Sequence, residues 1–210
     1  ASAWRRNTGE ADIANRGANR LRFVRLRHDR KVFTGTMNDS ASKNSSHDAD
    51  RLAGLTPAGM RLVQSGTHAL QAQQAQSAER DLRAALLQAP AHPEVQRLLG
   101  LALRAQNRNA EALELLRAAA QSWPEDVLVQ NGLGTALDAS GEREAAIVAF
   151  RRACELAPQS AALWANLGKT LCDYGLFEEA VPALERVAAT TDHAASKIRL
   201  SHALRAMGRI

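Results

Sequence analysis

Small residues recur along this chain at a fixed step of 34. Glycine stands at Gly66, Gly100, Gly134 and Gly168, alanine at Ala78, Ala112, Ala146 and Ala180, and proline at Pro90, Pro124 and Pro158. Three series in one register exclude a single globular core built from unlike elements. They require a stack of similar units, each burying its apolar face against the next. Each unit reads as two helices, with the glycine midway along the first, the alanine in the second and the proline ending the second. Small side chains at both places let the helices approach toward the close end of the ~8–10 Å interaxial range. A glycine inside a helix costs roughly 1 kcal/mol against alanine, so its recurrence implies close packing that outweighs the cost.

Apolar residues follow the same register. Leu99, Leu133 and Leu167 precede three of the glycines, and Leu103, Leu137 and Leu171 follow three positions later on the same helical face. Leu82, Leu116, Phe150 and Leu184 stand four positions after the alanines. Gly141 and Gly175 mark turns between paired helices, with Asn107 in the equivalent place one unit earlier. The units run 59–92, 93–126, 127–160 and 161–193, and a partial fifth spans 194–210 with Ser201 at the small-residue position. The first unit is the least regular: Ser65 replaces the leucine and its turn region is the glutamine-rich QAQQAQ. The fifth reads as an interrupted unit, with a capping helix as the alternative.

The N-terminal quarter has another character. Residues 1–55 are expected to be a disordered basic and polar segment: in residues 37–55 Ser, Asp, Asn and Lys bury too little apolar surface to offset chain entropy, and the Arg-rich residues 1–36 settle into no helical or strand period. Met37 opens a polar lead typical of a flexible N-terminus, which suggests that residues 1–36 are not native. Thr56-Pro57 then begins the first helix, with Thr as N-cap and Pro at the first helical position.

Charge divides at the same boundary. Residues 1–50 hold ten Lys or Arg against six Asp or Glu, whereas residues 51–210 hold 17 against 16. The net charge of +5 therefore belongs mainly to the N-terminal segment, and nucleic acid is not an expected partner of the repeats. Two cysteines, Cys154 and Cys172, read as small core thiols and not as a disulfide framework. No apolar run approaches the ~18 residues of a membrane span, and no secretory signal core follows the N-terminal arginines. The expected setting is soluble and cytoplasmic, without contact with a membrane. No CxxC or HxxxH metal pattern, phosphate-binding loop or GxSxG nucleophile motif occurs, so no catalytic residue, metal or cofactor is expected.

The segment AALWANLGKTLCDYGLFEEAVP carries Trp164, Leu167, Gly168, Leu171, Gly175 and Ala180 at spacings that resemble a tetratricopeptide repeat. The resemblance covers residues 59–208. It implies an all-α, right-handed superhelical solenoid of helix-turn-helix repeats whose concave groove binds a protein or peptide partner. Groove positions of the family fall on Arg97, Leu101 and Arg104, on Asn131, Thr135 and Asp138, and on Lys169 and Asp173. A one-residue shift adds His202 and Arg205 in the fifth unit. The cations among them would pair with carboxylates of a bound segment. The residue sets of chaperone-binding and sugar-transferase members are not reproduced: at the latter's asparagine position only Asn166 fits, against Gln64, Leu98 and Gly132. The resemblance thus points to a non-enzymatic interaction scaffold, with self-association as a further possibility. The alternative is the N-terminal scaffold of a larger bacterial transferase.

Overall fold

The structure, a computed structural model, describes residues 50–190 and 193–209. The expectations for residues 1–49, including Met37 as the start, lie outside the described residues. The described chain is helical throughout, without a strand, and lies in one compact unit. The helices are α1 (Pro57–Gln71), α2 (Ala75–Gln88), α3 (Pro93–Arg104), α4 (Asn109–Ser122), α5 (Val127–Ala139), α6 (Arg143–Leu156), α7 (Ala161–Asp173), α8 (Phe177–Thr190) and α9 (Ala194–Ala206). They pair in sequence as α1–α2, α3–α4, α5–α6 and α7–α8, and each pair packs on the next. Helix α9 packs on α8 and α7. The fold is the expected repeat solenoid.

The glycine series does what its spacing implies. A Cβ added at Gly66, Gly100, Gly134 or Gly168 would stand 2.6 to 2.9 Å from Leu82, Leu116, Phe150 or Leu184 respectively. Each large residue is that of the second helix four positions after the alanine. The glycine is the floor on which it rests. The alanines Ala78, Ala112, Ala146 and Ala180 are fully buried. The core divides into two hydrophobic clusters that meet at α4, Ala112 belonging to one and Leu113 and Leu116 to the other.

Turns and caps repeat as well. Gln73, Asn107, Gly141, Gly175 and Gly208 all have positive φ. The place marked by Gly141 and Gly175 is therefore left-handed in every unit, including the first, where glutamine holds it. Thr56 Oγ1 accepts from the Gly59 N–H at 3.0 Å, as the Thr-Pro start requires. At the head of three successive first helices a side-chain N–H donates to the carbonyl of the preceding proline: Gln96 to Pro90 at 3.0 Å, Gln130 to Pro124 at 2.8 Å, and Trp164 to Pro158 at 2.8 Å. That bond fixes each unit to the one before. The other face of Trp164 carries the Arg186 guanidinium 4.5 Å above the ring.

One expectation needs correction. Residues 50–55, read as the end of a disordered segment, form a turn with Leu55 buried and Arg51 tied to the array. The apolar pair Leu52 and Leu55, three apart, supplies the buried surface that the surrounding polar residues lack. In the fifth unit Ser201 occupies the glycine place but is exposed, because no second helix among the described residues lies against it.

Candidate partner-binding face

The first helices of the pairs line one side of the solenoid, where α1 meets α3, α3 meets α5 and α7 meets α9. A cleft of about 420 Å³ opens there. It is lined by the apolar Leu52, Val63, Leu98 and Leu128, by the polar Gln64, Thr67, His68 and Gln71, and by a charged floor of Arg51, Glu94 and Arg97. Leu128 lies at its edge with 48% of its surface exposed. The turn at residues 50–55 contributes Arg51 and Leu52 to its lining.

The floor is a charged network. Glu94, 6% exposed, accepts from Arg97 at 2.6 and 2.9 Å and from Arg51 at 2.7 and 3.1 Å. Arg51 also donates to Asp126 at 2.5 Å and lies 5.2 Å from the Trp123 ring centroid. Asp126 is at the same time the N-cap of α5, accepting from the Val129 N–H at 2.8 Å. Burial alone would raise the Glu94 and Asp126 carboxyls, but the guanidinium hydrogen bonds outweigh it and hold both below the usual range.

The residues expected to line the groove fall into distinct groups. Arg97 is 9% exposed and fully engaged by Glu94, so it acts as part of the floor and not as a free cation. Leu101 and Arg104 are half-buried on α3; Arg104 forms no ion pair with a described residue, and its Nε has no hydrogen-bond partner. Asn131 accepts from Asn166 Nδ2 at 2.9 Å, and Thr135 donates to the Asn131 carbonyl at 2.6 Å. Lys169 bridges Asp173 at 2.7 Å and Asp138 at 3.5 Å, and the Asp173 hydrogen bond is the main cause holding its ammonium above the ordinary range. Arg205 stands apart, exposed on α9.

Sequence reasoning missed Arg51 altogether. Its partners lie 43 and 75 residues away, and no local spacing encodes such a contact. The only signal was the Leu52–Leu55 pair, which could have marked a docked turn ahead of Thr56.

Elsewhere the cysteines are free: Cys154 is buried and Cys172 partly buried. No group of three or more His, Cys, Asp or Glu among the described residues is placed to hold a metal ion, and no described helix is long and apolar enough to cross a membrane.

Models of the tetratricopeptide repeat match residues 63–127 and 129–170, together just over half of the chain. The chain is a tetratricopeptide-repeat protein. No curated protein matches it by sequence. Among solved structures, the array is similar to MamA AMB-1 at 20% identity and TM-score 0.62, covering 72% of this chain and 83% of that one. It is also similar to MamA MSR-1 at 20% identity and TM-score 0.63, covering 72% and 87%. TTC0263, a thermophilic tetratricopeptide-repeat protein of Thermus thermophilus, aligns at 20% identity and TM-score 0.61, covering 72% and 84%. At this identity the likeness shows the tetratricopeptide fold and nothing finer.

Proposed function

We propose that this tetratricopeptide array is a protein-interaction scaffold that binds an extended partner segment along its first-helix face. The observation that carries the reading is the cleft beside Leu128, where an exposed leucine adjoins mixed apolar and polar walls over a charged floor. An exposed apolar site rimmed by polar groups is the usual mark of a binding surface. An apolar side chain of the partner fills the cleft. The amides of Asn131 and Asn166 lie further along the same face and hydrogen-bond its main chain. Arg104, without an ion pair of its own, meets a carboxylate. The role is binding and not catalysis.

Selection of phage-displayed random peptides on the purified array tests this. Selected peptides should lose binding to Leu128→Arg and to Asn131→Ala combined with Asn166→Ala. They should keep binding to Val148→Arg, since Val148 is 64% exposed on a second helix, α6. Peptides lost with Val148→Arg and indifferent to the other variants would place the binding surface elsewhere.

A further inference from the structure

On the second-helix side the fourth unit departs from the repeat at one place. Pro182 stands inside α8, where the preceding units carry Arg80, Glu114 and Val148. A proline within a helix gives up the N–H that would reach the carbonyl four residues back, here that of Glu178, and its ring crowds that carbonyl. Core packing does not account for it: Pro182 is exposed and belongs to neither hydrophobic cluster. What its short ring does is leave space.

A cleft of about 340 Å³ opens beside it, lined from α6, α7 and α8. Its most buried lining residues are Cys154, Leu167, Leu171 and Ala183, each at most 4% exposed. Trp164 adds an aromatic wall, with its indole N–H already given to the Pro158 carbonyl and the Arg186 guanidinium 4.5 Å from its ring centroid. Arg151 pairs with Glu179 and so joins α6 to α8, while Glu155 pairs with Arg152 at 3.1 Å. Arg186, the remaining charge of the lining, is exposed and forms no ion pair with a described residue. Its charge reaches the cleft floor: burial raises the Cys154 thiol to about 11, and the Arg186 cation works against that rise.

We propose that this cleft binds a small planar aromatic carboxylic acid, its ring against Trp164 over the apolar floor and its carboxylate on Arg186. Glu179 and Arg186 are seven residues apart on one face of α8, about 10 Å along the axis, with Pro182 and Ala183 between them. That span suits a two-ring acid, and the volume lies at the small end for ligand sites. A guanidinium stacked on an aromatic face keeps its in-plane N–H groups for a carboxylate. A cationic ligand would find Glu155 and Glu179 already paired, and a peptide running along the groove would have to part Arg151 from Glu179. The α7 residues used here, Trp164, Leu167 and Leu171, lie on a different helical face from Lys169 and Asp173. The site is therefore separate from the partner-binding face and does not depend on it.

The probe is β-naphthoate, titrated calorimetrically into the whole chain beside the neutral β-naphthamide. Naphthoate should bind one to one and lose about fivefold in affinity (~1 kcal/mol) in Arg186→Gln. It should lose measurable binding in Pro182→Arg, which places in the groove the long side chain that the first unit carries as Arg80. Circular dichroism should show both variants folded, with Pro182→Arg melting no lower than the wild type. Naphthamide should bind the wild type no more tightly than naphthoate binds Arg186→Gln, and Leu128→Arg should bind naphthoate as the wild type does. No binding of naphthoate, equal affinity for the amide, binding that survives Pro182→Arg, or loss in Leu128→Arg overturns the proposal. The phage-selected peptides and their loss in Leu128→Arg are read separately, so the two readings stand or fall apart.

Discussion

Gly134 lies directly beneath Phe150: a Cβ on the glycine would stand 2.8 Å from the ring's Cδ1 and 2.9 Å from its Cε1. Phe150 is 2% exposed. Alanine at this position gains roughly 1 kcal/mol of helix propensity but meets an overpacking cost of about 1–3 kcal/mol. Gly134→Ala should be destabilising by about 1 kcal/mol, and Gly134→Leu by several times more. Urea denaturation of Gly134→Ala, Phe150→Leu and the double variant checks this, because the smaller side chain should absorb part of the alanine's cost. Additive effects would show that the two residues do not share this contact.

The turn of the first unit holds a non-glycine residue in the left-handed region, with Gln73 at φ 59°. Such a conformation costs an ordinary residue about 1–2 kcal/mol, part of which glycine returns through the entropy of the unfolded chain. Gln73→Gly should raise stability by about 0.5–1 kcal/mol and the melting temperature by a few degrees. Gly141→Gln, at the equivalent turn with φ 78°, should lower both.

Arg51 should matter more than its place ahead of the first helix suggests. Arg51→Ala withdraws charge-assisted hydrogen bonds from Glu94 and Asp126, each bond being worth about 1.5–3 kcal/mol in a buried setting. The expected loss at neutral pH is about 2 kcal/mol, since Arg97 still satisfies Glu94 and Val129 still satisfies Asp126. Acid should show the same network. Glu94 and Asp126 are held below their ordinary range. Burial opposes the Glu79 charge too, yet hydrogen bonds from Arg83, Gln106 and Arg108 outweigh it and bring that carboxyl to about 2. Their folded values lie below the unfolded ones of about 4, so the unfolded chain takes up protons first as pH falls. The contribution is full above about pH 4.5 and is lost progressively toward pH 2. Urea midpoints across that window should fall steeply in the wild type and less steeply in Arg51→Ala.

Burial pushes the Cys154 thiol up to about 11, and it raises Cys172 as well. At pH 8 Cys154 is therefore a thiol and not a thiolate, and the packed core denies access to reagents. Iodoacetamide should leave Cys154 unmodified in the folded protein and alkylate it fully in denaturant, as read by peptide mass spectrometry. Rapid modification of Cys154 in the folded state would contradict its placement against α7 and α8.

Where the sequence could be read, the reason was repetition. Gly134 and Phe150 are 16 residues apart within one unit, and the same pair of places recurs as Gly66 with Leu82, Gly100 with Leu116 and Gly168 with Leu184. A relationship copied four times in one register declares itself without coordinates. The Gln73 turn was harder, because glutamine gives no hint of positive φ and only the step from Asn107 would have located it. The charges of the candidate face were least legible. Arg97 and Lys169 fall where a family pattern puts ligand-binding cations, yet each is already held by a carboxylate, Glu94 three residues away and Asp173 four. Which cations remain free depends on side-chain reach between neighbouring helices, and a single occurrence of such a contact leaves no periodic trace. Arg104 and Arg205 are distinguished from them only by the structure.

The Arg51 network also makes the two ends of the array mechanically unequal. In a simple stack each unit grips only its neighbours, so tension unspools it with similar ease from either side. Here residue 51 is fastened to residues 94 and 126, so the first pair cannot swing away until buried ion pairs rupture. Helix α9 packs on α7 and α8, with His202 edge-to-face on Phe177. Under load the chain should pay out from α9 inward, with the N-terminal pairs serving as the anchor.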